Sequence, residues 1–406
     1  MLNQPRGFWH LFGADLIVRS AYQMGKTPVL PMFAAAIGAG ELMIGTIVAV
    51  STMTGMVAKP FVGAFSDRWG RKVWFFAALL LFAGTPFLYR FVETPEQLLA
   101  IRLFHGSATA IFGPVTLAIV AEMERTGRAT RLGWFGLARE LGYLLAPAVS
   151  GWLLVRFDDP AELFTVVGLI SCLAFLPSAF LRFPETPVQA ERGRRPNLLR
   201  QLASGFAHTA TRVEMWFAGC LEMTVYAVTY GLKAFLPLFV VQVAGFSWLD
   251  AGLFFTVQEA AHMAMRPVGG RVGDRAGYLP AIAAGIAVLA VALLWLPGVS
   301  DGTALLAVAM LSGTGQGLIF PSTVAMVGNA VGAGHLGLGL GIYGTLKNLG
   351  KVAGPLIAGL VLEHLSYEAL FRALAGLAVM ASIGVLLVHR HQRRLPDPGS
   401  GSSEKA

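Results

Sequence analysis

Apolar runs of about twenty residues, roughly twelve of them separated by short polar breaks, constrain this chain more than any other feature. Each is long enough to cross the ~30 Å hydrocarbon core of a bilayer as a helix. They fall near 12–35, 42–64, 73–92, 97–121, 131–154, 161–181, 214–241, 250–270, 279–297, 303–327, 337–361 and 369–389. Backbone amides in hydrocarbon have no water to bond, so the expected fold is all-α and integral to the membrane. The 406 residues are 55% hydrophobic and 13% charged, against about 25% charged in soluble domains. Met1 to Arg6 leads into a run that carries charges and outlasts a signal-peptide core, so it reads as a retained first helix.

Charge placement sets the expected orientation. Arg68, Arg71, Lys72, Arg125, Arg128, Arg131, Arg192, Arg194, Arg195, Arg271, Arg275, Arg390, Arg393 and Arg394 fall on one set of loops. Glu93, Glu96, Asp158, Asp159, Asp250, Asp301 and Glu363 fall on the other, with Arg156 the main exception. An even number of spans puts both termini on the basic side, which the positive-inside bias makes the cytoplasmic face of a cell (inner) membrane. The net charge of +8 is then topological; it implies no nucleic acid and points to anionic lipid headgroups. Cys172 and Cys220 each sit in a span, which gives neither a disulfide framework nor a metal cluster, and they read as packing residues.

The longest polar break, Arg182 to Glu214, is rich in Arg and holds Pro184, Pro187 and Pro196, the marks of a linker. A shift of about 207 residues makes the chain match itself across that break. Lys59, Pro60, Gly63, Asp67, Arg68 and Gly70 fall on Arg266, Pro267, Gly270, Asp274, Arg275 and Gly277. Gly106 and Pro114 fall on Gly313 and Pro321; Leu141, Gly142, Pro147 and Gly151 fall on Leu349, Gly350, Pro355 and Gly359; Pro31 falls on Pro237. The organisation expected is a six-helix bundle at 1–181, a cytoplasmic linker at 182–213, a second bundle at 214–392 and a disordered Gly/Ser-rich tail at 393–406. Two such halves, related by an axis along the membrane normal, can rock about a midplane site and expose it alternately to each side. That geometry points to transport.

The stretch Gly63-Ala64-Phe65-Ser66-Asp67-Arg68-Trp69-Gly70-Arg71-Lys72, in the loop after the second span, closely resembles the signature loop of the major facilitator superfamily. Physically, a tight glycine-permitted turn would hold Asp67 beside the positive N-terminal end of the eleventh span. Arg71 would need an acid nearby, and Glu122 or Glu124 is in reach, so the loop reads as a conformational latch. The second copy keeps Gly270, Asp274 and Arg275 but has Tyr278-Leu279 for the basic pair and Asn329 for Glu122, so its latch is expected to be weaker.

Arg102-Leu-Phe-His105-Gly106 matches an Arg-x-x-x-Gly pattern on the fourth helix of drug:proton antiporters in that superfamily. Gly142 to Pro147, ending at Gly151, looks like their fifth-helix antiporter motif with Ala146 in place of Gly, and Pro28-x-x-Pro31 resembles their first-helix element. The resemblance implies export of small molecules in exchange for protons. The copy of the fifth-helix motif at Gly350, Gly354 and Pro355 reads as helix packing, which small residues favour in any membrane bundle.

Ionisable residues inside spans cost at least about 2.5 to 3.5 kcal/mol each at the helix centre, so they mark function by default. Glu259, with His262 one turn away, is the first choice for proton coupling, followed by Glu222 and Asp15. Asp15 and Arg19 are spaced i, i+4 and can pair. Lys26, Arg139, Glu140 and Lys347 fall near the midplane, where Glu140 is expected to pair with Lys347 across the bundles. Tyr143, Tyr226, Tyr230 and Gln258 could line a cavity with Arg19, Arg102 and His262, a lining that suits amphipathic cargo. No phosphate loop, nucleophile triad or metal-spaced cluster is found, so the reading is neither an enzyme nor an ATP-driven pump, with no cofactor.

The function expected is proton-coupled export of hydrophobic or amphipathic small molecules by a protein working as a monomer. A lipid or glycolipid flippase, or an importer of an anionic metabolite held by Arg102, Lys26 and Lys347, would share the fold. So would a membrane receptor or scaffold that does not transport.

Overall fold

The structure is a computed structural model that describes residues 6–123, 128–157, 159–181, 183, 211–331 and 336–394. The linker from 184 to 210, Glu124, Arg125, Asp158 and the tail from 395 lie outside the described residues, as do the side chains of Asp67 and Arg68.

All twelve runs fall on helices. Span 1 is α1 (Arg6–Lys26) and α2 (Val29–Ala36), parted at Thr27 and Pro28, where proline supplies no amide for a continuous helix. Next come α3 (Glu41–Trp69), α4 (Arg71–Leu88), α5 (Pro95–Glu122) and α6 (Arg128–Leu154). Span 6 is α7 (Pro160–Leu173) with α8 (Phe175–Ala179). The second half repeats the order as α9 (Val213–Leu238), α10 (Trp248–Ala276), α11 (Tyr278–Trp295), α12 (Gly302–Val331), α13 (Leu336–Leu362) and α14 (Tyr367–Arg394). Among the described residues, eight spans are long and apolar enough to cross a membrane on composition alone; spans 1, 5, 8 and 11, that is α1, α6, α10 and α13, are not among them. These four carry Asp15, Arg139, Glu259, Lys347 and Lys351, polar groups that can stay in a bilayer only by facing the bundle interior.

The repeat is visible in the turns. Gly70 (φ 88°) joins α3 to α4 and Gly277 (φ 94°) joins α10 to α11, both in the left-handed region where a Cβ is disfavoured. At the end carrying the acidic loops, acids also cap helix starts. Ser247 and Asp250 form a reciprocal capping box on α10, and the Asp159 carboxylate accepts the Ala161 amide at 2.8 Å on α7. Asp301 accepts from the Thr303 hydroxyl and, at 2.9 Å, the Ala304 amide, bonds that hold its carboxyl below the usual carboxylate range. The charge asymmetry of the loops therefore has a second cause besides topology, the preference of negative charge for helix N-termini.

At this acidic end one apolar cluster is shared by both halves, uniting Leu30, Phe33 and Ile47 with Leu232, Phe235 and Phe254. Toward the basic end each half keeps its own, around Phe75 and Phe112 in the first and around Ile282 and Val327 in the second. The halves thus join at one end of the bundle. The joint is built on glycine. A Cβ on Gly45 (α3) would overlap the Pro355 carbonyl oxygen of α13, and one on Gly252 (α10), its copy, would overlap the Pro147 carbonyl oxygen of α6. Cβ atoms on Gly359 and Gly151 would each lie 2.6 Å from a carbonyl oxygen of the opposite half, Glu41 and Trp248 respectively. Four symmetric close approaches seal the acidic end, and no residue larger than glycine fits any of them.

The other glycines of the motif serve packing within each half. Gly350 and Gly354 press α13 onto the Met223 and Ala227 carbonyls of α9, while a Cβ on Gly142 would stand 3.1 Å from the Ser20 amide of α1. The looser α1–α6 packing explains how Ala146, buried at 2% exposure, replaces the glycine expected there.

Candidate functional site

On the basic side of the seal, between the halves, lies a cavity of about 500 Å³. Arg19, Tyr22 and Lys26 of α1 face it at helical spacing, with Ser51 and Lys59 of α3, Phe112 of α5, Arg139 and Tyr143 of α6, Tyr230 of α9, and Asn348 and Lys351 of α13. An adjoining recess of about 150 Å³ shares Arg139, Tyr143, Tyr230 and Lys351 and adds Glu140, Tyr226, Lys233, Glu259, His262, Arg266 and Lys347. The volume of the main cavity is within the range of small-molecule sites.

Along the recess runs a chain of polar contacts that crosses from one half to the other. His262 Nδ1 is 3.1 Å from Glu259 Oε1, Arg266 Nε donates to His262 Nε2 at 3.3 Å, and Arg266 Nη2 donates to Glu140 Oε2 at 3.2 Å. Arg139 Nη2 donates to the other oxygen of Glu140 at 3.5 Å. Because a guanidinium nitrogen can only donate, His262 Nε2 must be the acceptor. Its proton therefore sits on Nδ1 and is donated to the Glu259 carboxyl group. Residues three and four apart on α10 make this alignment, since Glu259, His262 and Arg266 share one helical face. The partner of Glu140 across the halves is Arg266, not Lys347 as the sequence led us to expect. Lys347 instead lies over aromatic faces, 5.4 Å from the Tyr226 ring centroid and 5.9 Å from Phe320.

The remaining candidates divide. Asp15 is fully buried and accepts from Arg19 Nε at 2.7 and 2.9 Å, so it neutralises a cavity cation instead of facing the cavity. Glu222, 1% exposed, borders a void of about 20 Å³ shared with Tyr226 and His262, and among the described residues its Oε2 has no hydrogen-bond partner. Arg102, also 1% exposed, stands behind the cavity wall and donates to Ser51 Oγ at 2.7 Å and the Tyr89 hydroxyl at 3.4 Å. Gln258 packs α10 on α12, where its carbonyl oxygen leaves no room for a Cβ on Gly313, and does not line the cavity.

At the basic end, Arg71 Nη2 donates to Glu122 Oε1 at 2.8 Å and Nη1 donates to Ser66 Oγ at 2.7 Å. Among the described residues the second copy has, in place of that ion pair, a 3.4 Å bond from Asn329 Nδ2 to the Tyr278 hydroxyl. Breaking the charged pair by Arg71→Ala is expected to lower transport about threefold to fivefold, as an ion pair worth about 1 kcal/mol allows, with Tyr278→Phe within error of wild type in the same flux assay.

Sequence reasoning passed over Lys59, Lys233, Arg266 and Lys351 as site residues. Two signals could have found them: Lys351 is one turn from Lys347, and Lys59 and Arg266 are equivalent in the repeat.

A protein-family model described as Major Facilitator Superfamily matches residues 17–304 and 250–405. "Multidrug resistance protein 1" of Bacillus subtilis (strain 168) is 26% identical over 239 residues, a match spanning 58% of this chain and 57% of that one. The "Multi-drug resistance efflux pump PmrA homolog" of Lactococcus lactis subsp. lactis (strain IL1403) is 21% identical over 395 residues, covering 95% and 94%. Among solved structures, the nucleoside transporter NupG aligns with a TM-score of 0.80 at 15% identity, covering 95% of this chain and 100% of its own.

Proposed function

Since the chain belongs to the Major Facilitator Superfamily, we propose that it is a secondary transporter that exports amphipathic small molecules in exchange for protons. The observation that carries this reading is the polar chain Glu259–His262–Arg266–Glu140, which ties the two halves together beside the cavity. A proton arriving at His262 Nε2 would take the lone pair that Arg266 Nε uses. The resulting imidazolium would face a guanidinium at hydrogen-bond distance, and Arg266 would be driven off, loosening its hold on Glu140. One proton would thereby bias the contact between halves, which is what coupling requires.

With the acidic end sealed and the cavity on the basic side, the arrangement reads as the state that loads from the cytoplasm. Rocking about the glycine seams would open the acidic end, and the Arg71–Glu122 pair would steady the basic one. The relatives named for multidrug resistance support efflux as the direction.

The experiment is dye efflux from bacterial cells lacking their own pumps. Cells expressing the protein and loaded with fluorescent amphipaths of both charge signs should expel at least one of them when energised, and a protonophore should stop it. Efflux no faster than in cells without the protein, or indifferent to the protonophore, would sink the proposal.

A further inference from the structure

Eight cations line the cavity and its recess, Arg19, Lys26, Lys59, Arg139, Lys233, Arg266, Lys347 and Lys351, against two acids, Glu140 and Glu259. Both acids are already engaged, Glu140 by two arginines and Glu259 by His262. Arg19 has its own carboxylate in Asp15. Among the described residues no ion pair reaches the five lysines.

Four of them stack on tyrosine instead. Lys26, Lys233 and Lys351 lie 5.5, 5.6 and 5.2 Å from the Tyr230 centroid, and Lys347 and Lys351 lie 5.4 and 5.0 Å from that of Tyr226. A ring quadrupole compensates a desolvated ammonium only in part, and the Tyr230 ring alone is shared by three of these cations. Arg102 adds a further buried positive charge behind Ser51 with hydroxyls as its partners. A cleft of one sign within low-dielectric walls concentrates ions of the opposite sign.

We propose that the cargo is an organic anion, a carboxylate or phosphate joined to an apolar ring or chain, its acid group seated among Lys26, Lys59 and Lys351 and its apolar part against Phe112 and the tyrosine faces. The assignment rests on the transporter reading above and narrows it. An amphipathic cation would add charge to a site that already holds an excess. A neutral cargo would leave that excess uncompensated. The shared chemistry, an oxyanion on an apolar body, could come from a soluble metabolite or from a single-chain lipid.

Calorimetric titration of the purified, full-length protein in neutral detergent tests this without requiring transport. The probes are 2-naphthyl phosphate, palmitoyl lysophosphatidate and naphthylmethylammonium. At least one anion is expected to bind, with the ammonium at least about tenfold weaker; binding of the naphthyl ester identifies a soluble source, and binding of the lysolipid alone a lipid one. Lys26→Gln, Lys59→Gln and Lys351→Gln, made singly on three helices so that misfolding of one leaves two informative, should each weaken the anion about tenfold, the loss typical of a charged bonding partner. Equal or tighter binding of the ammonium, no binding of either anion, or anion affinity unchanged in every folded variant would overturn the proposal. Anion binding without protonophore-sensitive efflux would support this assignment while contradicting the export reading, so the two fail separately.

Discussion

Gly252→Val is expected to reduce transport about a hundredfold and to open the acidic end of the protein. A Cβ at this position would overlap the Pro147 carbonyl oxygen of α6, and backbone on both sides of the contact cannot yield as a flexible side chain would. Overpacking of about 3 kcal/mol in the sealed state, absent once the halves part, shifts their ratio by about a hundredfold. Gly45→Val, its copy against Pro355, should do the same. The direct measurement uses protein with Cys172 and Cys220 replaced and one new cysteine, Asn348→Cys, in the cavity wall. A membrane-impermeant thiol reagent added from the acidic side should label it faster once Gly252 is valine. Wild-type labelling together with wild-type flux would show that the seam is not a moving seal.

Glu259→Gln should abolish gradient-driven export, by at least about a hundredfold, while leaving exchange of labelled for unlabelled cargo across the membrane. The amide keeps an oxygen that can accept from His262 Nδ1 but removes the charge that would stabilise an imidazolium, so the switch at Nε2 loses its driving force. Arg266→Met should weaken coupling in the same way by deleting the bridge to Glu140. Full gradient-driven export by both variants would place coupling elsewhere, with Glu222 next in line because its Oε2, unbonded among the described residues, belongs to a side chain that borders the same small void as His262.

The fold was legible because two constraints acted together. Hydrocarbon requires continuous apolar helices, and duplication repeats them with their punctuation, so spacing along the chain is enough to pair Gly70 with Gly277 and Pro147 with Pro355. Inside the bundle the reading was partial for a physical reason. A count along each span gives depth but not azimuth to better than a turn, and Glu140 could therefore be matched in depth to Lys347 while Arg266, on another helix at reach of its oxygen, went unconsidered. Gln258 failed in the same way, since polarity alone cannot distinguish a helix seam from a cavity wall. Gly45 and Gly252 carried no local signal, and only their contact across the halves gives them a role.

Proton-driven passage of cargo through the cavity between the halves is the proposal on which these expectations rest. Its most direct measurement is flux into liposomes holding the purified protein, with a pH gradient imposed across the membrane and a panel of amphipathic anions and cations offered outside. Accumulation against a concentration gradient, lost when the pH gradient is collapsed and lost again in Glu259→Gln, is the result expected. Flux that ignores the pH gradient, or none for any member of the panel, would contradict it.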